Sequence, residues 1–180
     1  MRTPVPDDLI LGLLASRPQH GYELLAHFAA PAELGRVWTM STSQIYAVLK
    51  RLDGLGLIRG RSRRGQDAPD RIEYSLTTSG QRRLNHWLLE EGVSASVRSI
   101  RVVFISKLHI AELLGRPTEP IIDRQRAACR ARLRVLDSAR RSATTPTEQR
   151  SLEFVIGQLS AAIAWLDGIA VVSPADRGGL

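Results

Sequence analysis

From Ser41 to Gly56 the chain reads as a helix with its chemistry on one side. Ile45, Val48, Leu49, Leu52 and Leu55 recur at three- and four-residue steps and form an apolar stripe. At about 100° per residue the side opposite the stripe carries Ser43, Ala47, Lys50 and Gly54, with Tyr46 and Arg51 on its flanks. Small residues permit close approach, and Lys and Arg donate to phosphate oxygens and to the acceptor edges of bases. Such a face suits the phosphate-lined major groove of duplex DNA. Ser41 and Gln44 have a second use, because a serine followed three residues later by a glutamine makes a capping box.

Next come Arg59, Arg61, Arg63, Arg64 and Arg71, five cations set against Asp67 and Asp70. Edge strands also carry charge, to block pairing with neighbouring strands. Here one sign dominates and the run adjoins the helix, which predicts contact with a DNA backbone or minor groove.

The whole 180-residue chain has the same bias, with a formal charge of +7. A strongly basic chain favours polyanionic partners. Its 25 basic residues are 23 Arg and only Lys50 and Lys107. The planar Arg fork fits phosphate and guanine edges, although GC-rich coding produces the same skew.

Enzyme chemistry is not expected. His20, His27, His86 and His109 have no metal-ligand spacing, and no phosphate-cradling Gly loop or Gly-x-Ser-x-Gly elbow occurs. Cys129 stands alone, which excludes an internal disulfide and a multi-cysteine zinc site and suggests a small apolar filler. No cofactor is expected. No apolar run reaches the roughly 18 residues that a membrane span needs, so a cytoplasmic protein without membrane contact is expected.

The elements that must position these residues emerge from pattern. Leu9 to Ala15 is apolar and stops at Pro18; "HGYELLAHFAA" opens a second helix; Ser41 caps the third. "LIRGRSRR" and "RIEYSLT" are strand candidates joined by the turn material "GQDAP". Thr78 and Gln81 form a capping box for a helix with Leu84, Trp87 and Leu88. Helix, helix, helix, strand, turn, strand, helix is the order of a winged helix-turn-helix, with the hairpin as its wing.

The second half has only helical patterns. Ser99 to Leu114 is apolar almost all round and is predicted to be one buried helix. A middle helix comes next, with Ile122, Cys129, Leu133 and Leu136 on one stripe. Its seven Arg residues, spread round the helix, suit a solvated exterior better than a DNA contact. Thr145, Pro146 and Glu148 start the last helix. There Leu152, Val155, Leu159, Ala162, Leu166 and Ile169 make a heptad seam, expected to be the dimer contact. The chain is thus read as mainly α with a small β-hairpin wing. Residues 1–92 form the winged head, 93–172 a coiled-coil-like helical dimerisation domain and 173–180 a disordered tail.

Three segments, "LILGLLASRPQHGYELL", "VWTMSTSQIYAVLKRLDGLGLI" and "PDRIEYSLTTSGQRRLNHWL", resemble in order the PadR-type transcriptional regulators. "RQRAACRARLRVLD" and "AAIAWLDGI" resemble the C-terminal helical domain of the larger PadR subgroup related to virulence activators. The resemblance implies a homodimer, usually a repressor, on a pseudo-palindromic operator in double-stranded DNA, with dimerisation through the C-terminal helices. It makes Tyr22, of the His-Gly-Tyr step, and Tyr46 candidate DNA contacts beside Ser41, Ser43, Gln44, Lys50, Arg51 and the wing arginines Arg61, Arg63, Arg64 and Arg71. Many members carry Pro-Gly or a similar pair where this chain has "STSQ", a difference that bears on base preference. Related regulators often sense aromatic compounds, so Trp87, Phe104 and Trp165 are candidate walls of an effector pocket, with plain core packing as the alternative. From a different functional class comes a winged helix that binds protein, which needs no basic face.

Overall fold

The computed structural model describes residues 6–29, 33–63, 71–89 and 92–169. The chain forms two units, Met1–Glu91 with Ile105–Arg116, and Gly92–Phe104 with Pro117–Leu180.

In the first unit, helix α1 (Asp7–Ser16) buries Leu9, Ile10, Leu11, Leu13 and Leu14. A helix apolar nearly all round must lie inside a core. Helix α2 (Gly21–Ala26) and a 3-10 turn (Glu33–Arg36) lead to α3 (Thr42–Gly54). Ile45, Val48, Leu49 and Leu52 of the predicted stripe are buried. Leu55 is not: it is the C-cap residue and 62% exposed. The cause is a Schellman turn, in which Gly56 takes φ +67 and the Leu57 N–H bonds the Leu52 carbonyl at 3.0 Å. The turn redirects the chain, and Ile58 reaches the core instead.

Strands β2 (Ile58–Arg63) and β3 (Arg71–Leu76) pair antiparallel, as predicted. A two-residue strand β1 (Gln19–His20) adds to the other side of β3, giving the order β1-β3-β2. So short a strand leaves no periodicity to read. Helix α4 (Thr78–Leu89) is capped one residue earlier than expected. The Gly80 N–H bonds Thr77 Oγ1 at 3.1 Å, and the Thr77 hydroxyl also reaches the Gly56 and Leu57 carbonyls.

The stretch read as one helix from Ser99 to Leu114 is divided. Helix α5 (Val97–Ser99) runs into a π-helical turn (Ile100–Phe104), then α6 (Ile105–Leu113). A π turn inserts a residue into the ladder and rotates the helix beyond it, so the apolar residues on its two sides serve different cores. Although it lies in the half read as the dimerisation domain, α6 packs with α1 inside the first unit.

In the second unit α7 (Glu119–Arg141) and α8 (Pro146–Gly168) pack side by side. Thr145 caps α8 by accepting from the Glu148 N–H, with Pro146 next, as read from the sequence. Ile121, Ile122, Cys129 and Leu136 of α7 are buried, with Cys129 a filler against Gln125. The residues expected to form a tail, 173–180, lie outside the described residues. Among the described residues no helix is long and apolar enough to cross a membrane, and no group of metal-binding side chains occurs.

Candidate nucleic-acid interface

The capping box of α3 forms as predicted. Ser41 Oγ accepts from the Gln44 N–H at 3.3 Å and Gln44 Oε1 accepts from the Ser41 N–H at 2.8 Å. Two backbone donors at the helix start are thereby satisfied. From it Ser43, Ala47 and Lys50 are exposed along one side, with Ser41 and Gln44 also exposed at the start.

Tyr46 is 48% exposed and lies over Gly21, where a Cβ would come within 2.9 Å of its ring. Glycine at 21 therefore makes the seat for this tyrosine. Tyr22, 54% exposed, stacks on His20 at 5.6 Å between ring centroids. His20 Nδ1 in turn lies 3.0 Å from the Ile72 carbonyl of β3. Both tyrosines are thus displayed where α2 begins, Tyr46 over Gly21 and Tyr22 on His20.

Behind them Glu23 accepts from the His20 N–H at 2.7 Å and pairs with Arg17 at 2.9 Å. The backbone bond, and then Arg17, hold the Glu23 carboxyl below its ordinary range, against a smaller opposing effect of burial. Tyr74, buried under the wing, is pushed above the usual phenol range by burial first and by Asp53 second.

Register decides which wing residues share a face. Ile58 opposes Leu76 and Gly60 opposes Tyr74 on the core side, whereas Arg59 opposes Ser75 and Arg61 opposes Glu73 on the outer side. His20 of β1 also pairs with Glu73. The outer face therefore carries a row of Arg61, Glu73 and His20, with an acid the sequence reading left out. The wing is tied to the end of α3 by the Gly60 N–H, which donates to Asp53 Oδ1 at 3.3 Å. Arg59 and Arg61 are exposed. The backbone of Arg63 and Arg71 is paired in the ladder, and Arg64, Asp67 and Asp70 lie outside the described residues.

Arg51 occupies a different position from the other candidates. Its guanidinium makes a two-pronged pair with Asp7 of α1, Nε lying 3.0 Å from Oδ2 and Nη2 on Oδ1. That hydrogen bonding raises the Arg51 pKa. Asp8 does the same for α4, accepting from Arg83 Nε at 2.7 Å and Nη2 at 3.1 Å. Acids in a first turn are favoured by the helix dipole alone, so the sequence carried no sign that these two also grip neighbouring helices.

In the second unit the seam positions divide. Leu159 and Leu166 are buried within one chain, while Leu152, Ala162 and Ile169 are half-buried and Val155 is 39% exposed. The seam thus meets α7 of its own chain. Arg126 and Arg130 of α7 reach Asp167 of α8 at 2.7 and 3.0 Å. The opposite face of α8 is exposed and uncharged from Phe154 to Gly168, with Phe154 at 66% and Trp165 at 46% exposure. Phe104 meets Trp165 edge-on at 6.0 Å. Trp87, of the first unit, is buried, with the Lys107 ammonium 5.5 Å from its ring centre.

Residues 10–86 match the family described as "Transcriptional regulator PadR-like family". The chain is 32% identical over 107 residues to "Negative transcriptional regulator PadR" of Bacillus subtilis, covering 59% of this chain and 57% of that one. To "Probable transcriptional regulator Rv1176c" of Mycobacterium tuberculosis it is 30% identical over 81 residues, 45% of this chain and 42% of that one. The matches thus span about half the length of these curated relatives, both named as transcriptional regulators. Among solved structures, B. subtilis PadR in complex with operator DNA is similar at a TM-score of 0.48 and 24% identity, over 93% of this chain and 97% of that one. The same protein in complex with p-coumaric acid gives 0.43 and 25%, over 93% and 95%.

Proposed function

We propose that this chain, whose residues 10–86 match the transcriptional regulator PadR-like family, is a homodimeric repressor that reads a pseudo-palindromic operator with α3 and the wing. The observation that carries this reading is the exposed side of α3. Ser43, Ala47 and the cation Lys50 are exposed along it, and Arg59 and Arg61 are exposed on β2. Lys50 and the α3 residues face base edges, while Tyr22, Tyr46 and the wing arginines, Arg63, Arg64 and Arg71 included, meet phosphates. Arg51 acts as a strut between α3 and α1.

Two copies pair through the outer face of α8, where Phe154, Ala161 and Trp165 form a stripe without a charge in a chain that is 24% charged. The seam residues Leu159 and Leu166 support that face from within. A small aromatic effector stacking against the exposed ring of Trp165, which the buried Phe104 meets edge-on, competes for the same surface, which connects ligand to dimer and dimer to DNA.

A gel shift on the DNA upstream of the protein's own coding sequence, with scrambled duplex as competitor, tests the reading. A retarded band that survives scrambled competitor is expected. Equal competition by scrambled DNA, or no shift, would leave a protein-binding winged helix in its place. Titration with p-coumaric acid, followed by tryptophan fluorescence, tests the effector. Quenching that disappears in Trp165→Phe is expected.

A further inference from the structure

The approach to α3 is anchored by Trp38. Its backbone N–H bonds the Leu34 carbonyl at 2.8 Å, at the 3-10 turn. Its indole N–H donates to Ser106 Oγ at 2.8 Å. Only Thr39 and Met40, in no regular element, separate this residue from the Ser41 cap. Ser106 belongs to α6, is 1% exposed, and lies beyond the segment that matches the family.

Helix α6 is itself fixed. A Cβ at Gly12 of α1 would come within 2.6 Å of the Ile110 side chain, so the two helices are in close contact. Arg116 Nη1 donates to Asn85 Oδ1 of α4 at 2.9 Å. The Lys107 ammonium, next to Ser106, lies against the Trp87 ring. Ser106 is therefore a stationary point offered to the Trp38 ring.

Packing alone gives no reason for a hydroxyl here. Alanine fills nearly the same space without the cost of burying a polar group. What the hydroxyl adds is direction, because a hydrogen bond weakens steeply with angle while apolar contact does not.

We propose that Ser106 is a positioning residue for DNA reading: by orienting the Trp38 indole it sets the angle at which α3 leaves the head. The inference rests on the reading of α3 as the recognition helix. Base-edge contacts need placement to within about 0.5 Å, whereas long basic side chains follow a phosphate through small displacements. Loss of the Ser106 bond therefore reduces discrimination between sequences and leaves backbone affinity in place.

The test uses the full chain and two duplexes, one from its own upstream region and one scrambled, with thermal unfolding recorded for every variant. Ser106→Ala and Trp38→Phe should each weaken cognate binding about three- to ten-fold and leave the scrambled duplex unaffected. In discrimination between the two duplexes the double variant should be no worse than either single one, because both remove the Trp38–Ser106 bond. Equal loss on both duplexes, wild-type discrimination in the single variants, or additive losses would overturn the proposal. Should Ser106→Ala not fold, Trp38→Phe decides alone, since it keeps an aromatic ring. A wild-type protein that does not separate the two duplexes refutes the reading of α3 itself, and the role of Ser106 falls with it.

Discussion

Lys50 and Arg51 are neighbours in sequence and alike in charge, yet they have different work. Lys50 is exposed on the presented side of α3, while Arg51 is committed to Asp7. A phosphate contact contributes roughly 0.9 to the log–log slope of affinity against salt. Lys50→Ala should lower that slope or reduce base discrimination, with unfolding temperature unchanged. Arg51→Ala should leave the slope as it is and lower the unfolding temperature. Anisotropy in a salt series, with a thermal melt of each variant, separates the two. Glu23 gives a pH dependence. Its folded pKa is depressed, so its contribution is fully present above the ordinary glutamate value of 4.5 and is lost as pH falls through the lowered folded value. In Glu23→Gln the stability lost between pH 5 and pH 3, about the range concerned, should be smaller than in wild type when melts are compared across it.

Close approach between elements is set by glycines that read from sequence only as punctuation. At Gly80 of α4 a Cβ would collide with the Leu57 carbonyl, a backbone atom that cannot rotate away. Gly80→Ala should therefore destabilise the head by about 1–3 kcal/mol, measured by chemical denaturation, although alanine is the better helix former. The same substitution at Gly54, where nothing lies within 4 Å, should be neutral or slightly stabilising. Helix α8 presents the corresponding contrast between its two faces. Leu159→Asp puts a carboxylate into a site 2% exposed and should unfold the helical unit. Phe154→Asp should keep the helical signal and shift the sedimentation profile from dimer to monomer. A dimer unchanged by Phe154→Asp would place the contact elsewhere.

At the scale of the molecule the head is not contiguous in sequence. A chain cut after Glu91 lacks α6 and leaves α1, buried all round in the full protein, with one side uncovered. Such a fragment should melt at a lower temperature than one ending at Arg116, and should lose discrimination between cognate and scrambled DNA before it loses non-specific binding. Circular dichroism melts and anisotropy on the two fragments decide whether α6 belongs to the reading head.

Local chemistry alone determined much of this. The Ser41–Gln44 cap, the stripe from Ile45 to Leu52, the two wing strands and the Thr145–Pro146 start of α8 each depend on residues within a few positions of one another, and all are as the sequence reads. Three results lay beyond that reach because their partners are distant in the chain. Arg51 and Asp7 are 44 residues apart, Trp38 and Ser106 are 68, and a basic or polar side chain looks the same in sequence whether or not a partner awaits it. The heptad seam of α8 was legible as a stripe, but periodicity records only that a face is buried. Whether it is covered by α7 of the same chain or by a second copy depends on which apolar surfaces meet first in three dimensions, and only the tertiary structure decides that.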